Sequence, residues 1–298
     1  MGLFHNGLMS SIPLPDNHPD FKIVQPLIEA LIKTAGGLQK LQQEIPQILR
    51  KAIDEVIDSP RTNRFTLSET EKTEKTYLGT KVEILLRSYL NLEKGRFLDL
   101  SIGGVDTDIK NTMGTNWTIP MEAFGHPCLL VKENEKKALC SFGLIIAKQD
   151  YLNPGQNRDS KRTLSVAGQA NVWWVLKDHP YPPNFWEIVP QSRRFEIMNA
   201  GAGSARVAAL FRLLPRKPIS RQIVQSIAQQ DDYMKRIRRN GGARDILAPE
   251  GIAILWGQKD RSIIEKLNLG QIGPDEFISY KPSKPTEVDL LKKAGHID

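Results

Sequence analysis

The stretch Phe97-Leu98-Asp99-Leu100-Ser101-Ile102-Gly103-Gly104-Val105-Asp106-Thr107-Asp108-Ile109-Lys110 decides how this chain is read. Residues 97–101 and 105–109 read as two strands, and Gly103-Gly104 supplies the turn between them. Side chains two apart on a strand share a face, so Asp108 and Lys110 project together from either side of Ile109. Asp99 stands nine positions before Asp108. Two carboxylates and a lysine meeting at one point are what metal-dependent phosphodiester cleavage needs. Spacing alone does not single out that chemistry, and the words around it carry the rest.

Upstream, residues 21–31 and 38–57 carry apolar residues at helical spacing. In the second segment Leu38, Leu41, Ile45, Ile48, Leu49, Ala52, Ile53 and Val56 form one stripe, with Pro46 a point where the helix is expected to kink or divide. Residues 73–86 predict another helix, on which Glu83 lies close to the apolar positions Leu78, Val82, Leu85 and Leu86. An acid so placed is costly unless it is paired or liganded; ordinary helix surface is the commoner fate of a glutamate.

Downstream, residues 128–131 and 138–147 predict two more strands around the solvated turn Lys132-Glu133-Asn134-Glu135-Lys136-Lys137. The expected result is an α/β domain, a mixed sheet flanked by helices. Asn157-Arg158-Asp159-Ser160-Lys161-Arg162 is polar and basic, and residues 163–175 look helical. Pro180, Pro182, Pro183 and Pro190 then crowd a stretch that suits neither a long helix nor an inner strand. The expected division is therefore a mobile segment at residues 1–20, a first domain at 21–179, a linker at 180–184 and a second domain at 185–298.

In the second domain Ser204 is placed to cap a helix bearing Val207, Leu210 and Phe211. Ser220 precedes Ile223, Val224, Ile227 and Ala228, and residues 231–239 follow as a second short helix stopped by Asn240-Gly241-Gly242. Such a pair suits a helix-turn-helix. The acids at the start and the basic residues at the end of that second helix would also simply complement its dipole. Residues 252–256 predict a strand, and the tail from residue 281 onward is expected to be peripheral.

Charge is uneven. Residues 1–180 hold 22 basic and 21 acidic side chains, whereas residues 181–298 hold 19 and 13. The C-terminal part is thus the stronger attractor of polyanions, although many inert proteins are as basic. Two cysteines, Cys128 and Cys140, are too few for a disulfide framework and read as reduced core residues of a cytoplasmic protein. No stretch approaches membrane-spanning length.

Several of these words resemble the NaeI family of type II (type IIE) restriction endonucleases. They are Thr73-Glu74-Lys75-Thr76 with Gly79-Thr80 and Val82-Glu83-Ile84; Asp99 with Asp108-Ile109-Lys110; Gly125-His126-Pro127-Cys128-Leu129; and the run 157–162. Gln229-Gln230-Asp231-Asp232-Tyr233-Met234-Lys235-Arg236, Gly241-Gly242-Ala243-Arg244-Asp245-Ile246-Leu247 and Pro249-Glu250-Gly251-Ile252 complete the match. The resemblance implies a restriction-endonuclease core with Glu83, Asp99, Asp108 and Lys110 in its active site, followed by a winged-helix-like DNA-binding domain. It also implies a homodimer that binds two DNA duplexes, cutting one palindromic site while a second copy activates it; GCCGGC is the first sequence to try. Mg²⁺, with Mn²⁺ as substitute, would sit on Asp99, Asp108 and the carbonyl of Ile109, with Glu83 a further candidate. DNA contacts would come from Asn157, Arg158, Lys161 and Arg162, and from Gln230, Lys235, Arg236, Arg238, Arg239 and Arg244. The family strand can carry an apolar or small polar residue where this chain has Asp106, which is either an extra acid behind the site or a solvent-facing strand end. Competing readings are a non-catalytic helix-turn-helix regulator, a nicking repair endonuclease with the same core, and a Mg²⁺-dependent metabolic enzyme.

Overall fold

The computed structural model describes residues 11–298, which divide into two compact units. The first comprises the chain up to Val56 together with Thr70–Asn184, and the second comprises Ile57–Glu69 with Phe185–Asp298. Residues 57–69, which the sequence suggests belong with the first domain, thus cluster with the second. The aromatic ring of Phe65 explains it, packing edge-on against Trp186 at 4.9 Å within the second unit's core.

Two helices open the first unit, α1 (Phe21–Ala35) and α2 (Leu38–Ile57). Gly36, at a φ of 81°, closes α1 in the left-handed conformation that ends helices at low steric cost. α2 runs unbroken through Pro46, its face of Leu41, Ile45, Leu49, Ala52 and Ile53 entirely buried. The first ten residues lie outside the described part. Residues 11–20, expected to be mobile, are anchored: Ile12 forms a β-bridge with Trp174, and buried Asp20 accepts from Tyr151 Oη at 2.8 Å and pairs with Lys148.

The short helix α3 (Ser59–Thr62) belongs to the second unit, and α4 (Lys72–Tyr89) returns to the first. The strands follow as β1 (Leu100–Ile102), β2 (Val105–Thr112), β3 (Thr118–Ile119), β4 (Pro127–Asn134), β5 (Leu139–Ile146), β6 (Leu152–Gln156) and β7 (Arg162–Leu164). The helical turn α5 (Val166–Gln169) and the strand β8 (Trp173–Pro180) end the unit. The main sheet has the order β1-β2-β4-β5-β8. Only β2 and β4 run parallel, with Asp108 opposite Cys128; every other pairing is antiparallel. It is a mixed sheet with α1 and α4 packed on it. β3, β7 and β6 form a smaller antiparallel sheet.

The helix expected over residues 163–175 is not formed. The segment is strand, one turn of helix, and strand, for two reasons. A Cβ on Gly168 would stand 2.0 Å from the Tyr151 carbonyl oxygen, so this is a close-packed corner and not a helix midpoint. Trp173-Trp174-Val175 then suits a sheet strand, where large flat side chains pack well. Pro180 ends β8 at the sheet edge, where a missing N–H is tolerated.

In the second unit, α6 (Gln191–Met198) and α7 (Ser204–Leu213) precede β9 (Ile219–Ser220) and α8 (Arg221–Ala228). Then come α9 (Ala243–Leu247), β10 (Ala253–Trp256), α10 (Arg261–Lys266), β11 (Glu276–Tyr280) and α11 (Pro285–Lys293). Ser220 caps α8, its hydroxyl accepting from Ile223 N. The expected helix over 231–239 shrinks to a 3₁₀ turn at Tyr233–Arg236. The chain doubles back instead, because Gly242 lies where a Cβ would be 2.1 Å from the Arg238 carbonyl oxygen, after two positive-φ residues, Asn240 and Gly241. Lys235 to Arg239 therefore do not complement a helix dipole. The tail is not peripheral either, since Leu291 and Ile297 are buried with Leu255, Ile264 and Ile278. β10, β11 and β9 form an antiparallel sheet with β11 central.

Cys128 and Cys140 are both buried free thiols, and among the described residues no helix is long and apolar enough to cross a membrane. On β4, Glu133 is 1% exposed, and burial pushes its carboxyl up to about 8. The folded state thus holds a proton that the unfolded chain releases at an ordinary glutamate value. Stability must fall as pH rises through that window, by up to about 1.4 kcal/mol per pH unit, and level off above pH 8. Glu133→Gln removes this dependence. Its melting temperature relative to wild type should climb between pH 5 and 8, and a constant offset would contradict the buried proton.

Candidate active site

β2 carries the chemistry because β1 folds back on it through Gly103-Gly104, at φ values of 57° and 85°. Leu100 pairs with Thr107, which brings Asp99, one residue before β1, beside Asp108 and Ile109 on β2. The Ile109 N–H donates to Asp99 Oδ2 at 3.0 Å. The ammonium of Lys110 lies 2.8 Å from Asp108 Oδ1, 3.1 Å from the Ile109 carbonyl oxygen and 3.4 Å from Asp99 Oδ2. Three oxygens thus converge on one cation.

The two carboxyls are not equivalent. Asp108 is 3% exposed, and burial drives its carboxyl up to about 7; Lys110 opposes that rise and Asp99 adds to it. For Asp99, burial is outweighed by interactions with Asp108, the Ile109 N–H and Lys110, so its carboxyl stays below the usual range. Asp99 is therefore the ionised member at neutral pH. Burial would lower Lys110, but Asp108 and Asp99 together hold it above its ordinary value.

Glu83 reaches the same centre from α4. Burial and the charge of Asp99 raise its carboxyl, against Arg87 and Lys110, and Arg87 Nη1 lies 3.4 Å from Glu83 Oε1 one helical turn on. The structure thus brings Glu83, Asp99, Asp108, Ile109 and Lys110 together. Among the described residues no group of three or more His, Cys, Asp or Glu side chains forms a ready metal cluster. What is present instead is two carboxylates and a main-chain carbonyl, hard oxygen donors of the kind Mg²⁺ takes.

One neighbour escapes sequence reasoning. The Cys128 thiol donates to Asp108 Oδ2 at 3.7 Å and so occupies the carboxyl oxygen turned away from Lys110. Only the parallel β2–β4 register puts them together, and twenty residues of separation give no warning of it. Asp106 is not a free, solvent-facing strand end. Its two carboxylate oxygens accept from Arg96 N at 2.6 Å and Phe97 N at 2.9 Å.

The expected DNA-contacting residues are less uniform. Asn157 spends its side chain on its own turn, accepting from Asp159 N and Lys161 N. Arg158 is exposed, Lys161 lies 3.9 Å from Asp159, and Arg162 stacks on Phe124. In the second unit, Gln230 lies against Gly203, Lys235 pairs with Asp232 at 2.6 Å, and Arg239 donates to the Gly295 carbonyl. Arg244 turns inward towards Asp260 at 3.7 Å, and burial lowers its guanidinium. Arg236 is half-buried, and Arg238 projects into solvent.

Comparison with known proteins agrees with the sequence words. A family model described as restriction endonuclease NaeI matches residues 39–288. The type II restriction enzyme NaeI of Lentzea aerocolonigenes is 35% identical over 270 residues, covering 88% of this chain and 83% of that protein.

Removing the ammonium isolates the proton of Asp108. Lys110→Met keeps the alkyl volume but deletes the charge that opposes the burial of Asp108, so the Asp108 carboxyl should titrate above its wild-type value of about 7. Carboxyl-carbon NMR titration without divalent metal reads this directly, and an unchanged or lowered value would contradict the pairing.

Proposed function

This chain belongs to the NaeI family of restriction endonucleases, and on that premise we propose that it hydrolyses both strands of DNA at a palindromic site, with Mg²⁺ held by Asp99, Asp108 and the Ile109 carbonyl. The observation that carries the reading is the convergence of these three oxygens on the Lys110 ammonium within 3.4 Å. A locus that already accommodates a cation among hard oxygens suits a divalent ion once the lysine swings aside. Bound there, Mg²⁺ would polarise the scissile phosphate and stabilise charge on its nonbridging oxygens.

The protein's own groups do the rest. The Ile109 N–H and the Cys128 thiol hold the two carboxylates in orientation. Lys110, kept protonated by its acidic partners, offers a cation to the phosphate or the attacking water. Glu83 adds, from α4, a carboxyl that interacts electrostatically with both Asp99 and Lys110. Water attacks phosphorus, the bond to the 3′ oxygen breaks, and the products carry 5′-phosphate and 3′-hydroxyl. No covalent enzyme intermediate is needed.

A palindrome is cut symmetrically when two active sites are related by a two-fold axis, which is the argument for a homodimer. For the second unit, the order α7, β9, α8, α9, β10, α10, β11, with β9, β10 and β11 in one antiparallel sheet, supports the winged-helix reading, as does its surplus of basic side chains. That unit would hold a second duplex whose binding stimulates cleavage.

Asp99→Ala and Asp108→Ala should each lower cleavage of a GCCGGC plasmid in Mg²⁺ by about 10³-fold, the loss of roughly 4 kcal/mol of transition-state stabilisation. DNA binding by gel shift should persist. Near-wild-type turnover in either variant would sink the metal-ligand assignment. A regulator would cut nothing, a repair nuclease would leave only nicks, and a metabolic enzyme would ignore DNA. For the effector site, a short cognate duplex added to a one-site plasmid should accelerate cleavage by wild type but not by Arg236→Ala/Arg238→Ala. Equal one-site rates with and without the duplex would leave an ordinary single-site enzyme.

A further inference from the structure

The loop before Asp99 is built to hold two exposed side chains at the cleavage site. Arg96 and Phe97 are both exposed, Phe97 to 80%, with the Arg96 guanidinium 5.0 Å above its ring. Among the described residues it is the most exposed of the aromatic side chains. Flexibility does not account for it, because the backbone beneath is fixed at three points. Asp106 accepts from the N–H groups of both Arg96 and Phe97, and Glu93 bridges to Ser101, its carbonyl accepting from Ser101 N at 2.9 Å. Gly95 is fitted closely underneath, since a Cβ there would stand 2.5 Å from the Leu98 carbonyl oxygen and 2.7 Å from Asp106 Oδ1.

We infer that Arg96 and Phe97 form a duplex-contacting tip beside the scissile phosphate, and that Asp106 is the positioning residue that holds this tip in place. The inference rests on the DNA-cleavage reading above. Phe97 precedes Asp99 by two residues and its N–H is tied to Asp106, two residues before Asp108, so the tip is held next to both acids of the cleavage site. The tip carries two exposed cations, Lys94 and Arg96, against one exposed acid, Glu93, a balance that favours the polyanion over a protein partner. The guanidinium suits a backbone phosphate, and the ring, freed from its stacking with Arg96, suits the apolar face of a deoxyribose or a base edge. Each oxygen of the Asp106 carboxylate meets one of the two adjacent N–H groups; an asparagine amide in its place keeps a single acceptor oxygen and an alkyl group has none.

The test uses the full chain and a plasmid bearing one cognate site, with steady-state KM and kcat measured over a series of salt concentrations. Arg96→Ala should raise KM by about tenfold and reduce the salt slope by about one counterion. Phe97→Ala should raise KM with the slope unchanged. Asp106→Ala and Gly95→Ala, which disturb the loop by different routes, should reproduce the KM increase of the double variant Arg96→Ala/Phe97→Ala, and Asp106→Asn should recover part of it. If the last two loop variants fold poorly, the surface variants decide alone. Wild-type KM and salt slope in both Arg96→Ala and Phe97→Ala would overturn the inference while leaving the cleavage reading intact. A changed sedimentation coefficient in Phe97→Ala would assign the tip to a protein interface and also overturn it. Failure of wild type to cut any duplex would sink both.

Discussion

A carboxyl group buried beside strand-paired main chain is the constraint around which the first unit is arranged. Asp108 is almost fully removed from water, and an isolated charge there would be far too costly. The fold meets that cost from every side. Lys110 lies on the same strand face, the Cys128 thiol comes from the parallel neighbour, and Asp99 is drawn in by the Ile109 N–H. The outcome is a pair of acids with opposite protonation tendencies sharing one cation. Burial, the neighbouring acid and the shared lysine together set those opposed tendencies.

The scaffold serves that point. β2 pairs with β1 over Val105–Thr107 and with β4 over Asp108–Thr112, so beside Asp108 and Lys110 one backbone edge is left open and the Ile109 N–H and carbonyl turn to Asp99 and Lys110. Asp99 arrives through the tight Gly103-Gly104 reversal, and Asp106 ties the preceding loop to the same strand. Glu83 belongs to another element altogether, α4, which packs on β2. Three separate segments thus deliver charge to a region a few ångströms wide, and only one of those deliveries is local in sequence.

The second unit shows a different economy. Its core gathers Phe65 from a segment far upstream, beside Trp186, Leu210, Phe211 and Ile254. Basic side chains there are divided between structural and solvent-facing uses. Arg212 pairs with Glu250 and Arg244 turns to Asp260, whereas Arg238 stays exposed. Net charge is therefore a poor guide to which residues meet a polyanion, because an arginine's partner depends on burial and neighbours, not on composition.

What the sequence determined by itself is whatever depends on near neighbours. The β1–β2 hairpin, the shared face of Asp108 and Lys110, the stripe of α2 and the cap at Ser220 all follow from spacing, turn chemistry and local hydrogen bonds. Tertiary structure decided the rest, for physical reasons that spacing does not contain. Residues 163–175 have the composition of a helix, yet the close approach of Gly168 to Tyr151 and the packing of Trp173 and Trp174 make them corner and strand. Residues 231–239 lose their helix because Gly242 must fold against Arg238, and the tail is buried because Leu291 and Ile297 find a core that no local pattern announces. Cys128 reaches Asp108 only through strand register, and Phe65 leaves its sequence neighbours because a distant tryptophan buries it better. Hydrophobic periodicity specifies which face of an element is buried; which other element does the burying is set by packing across the chain.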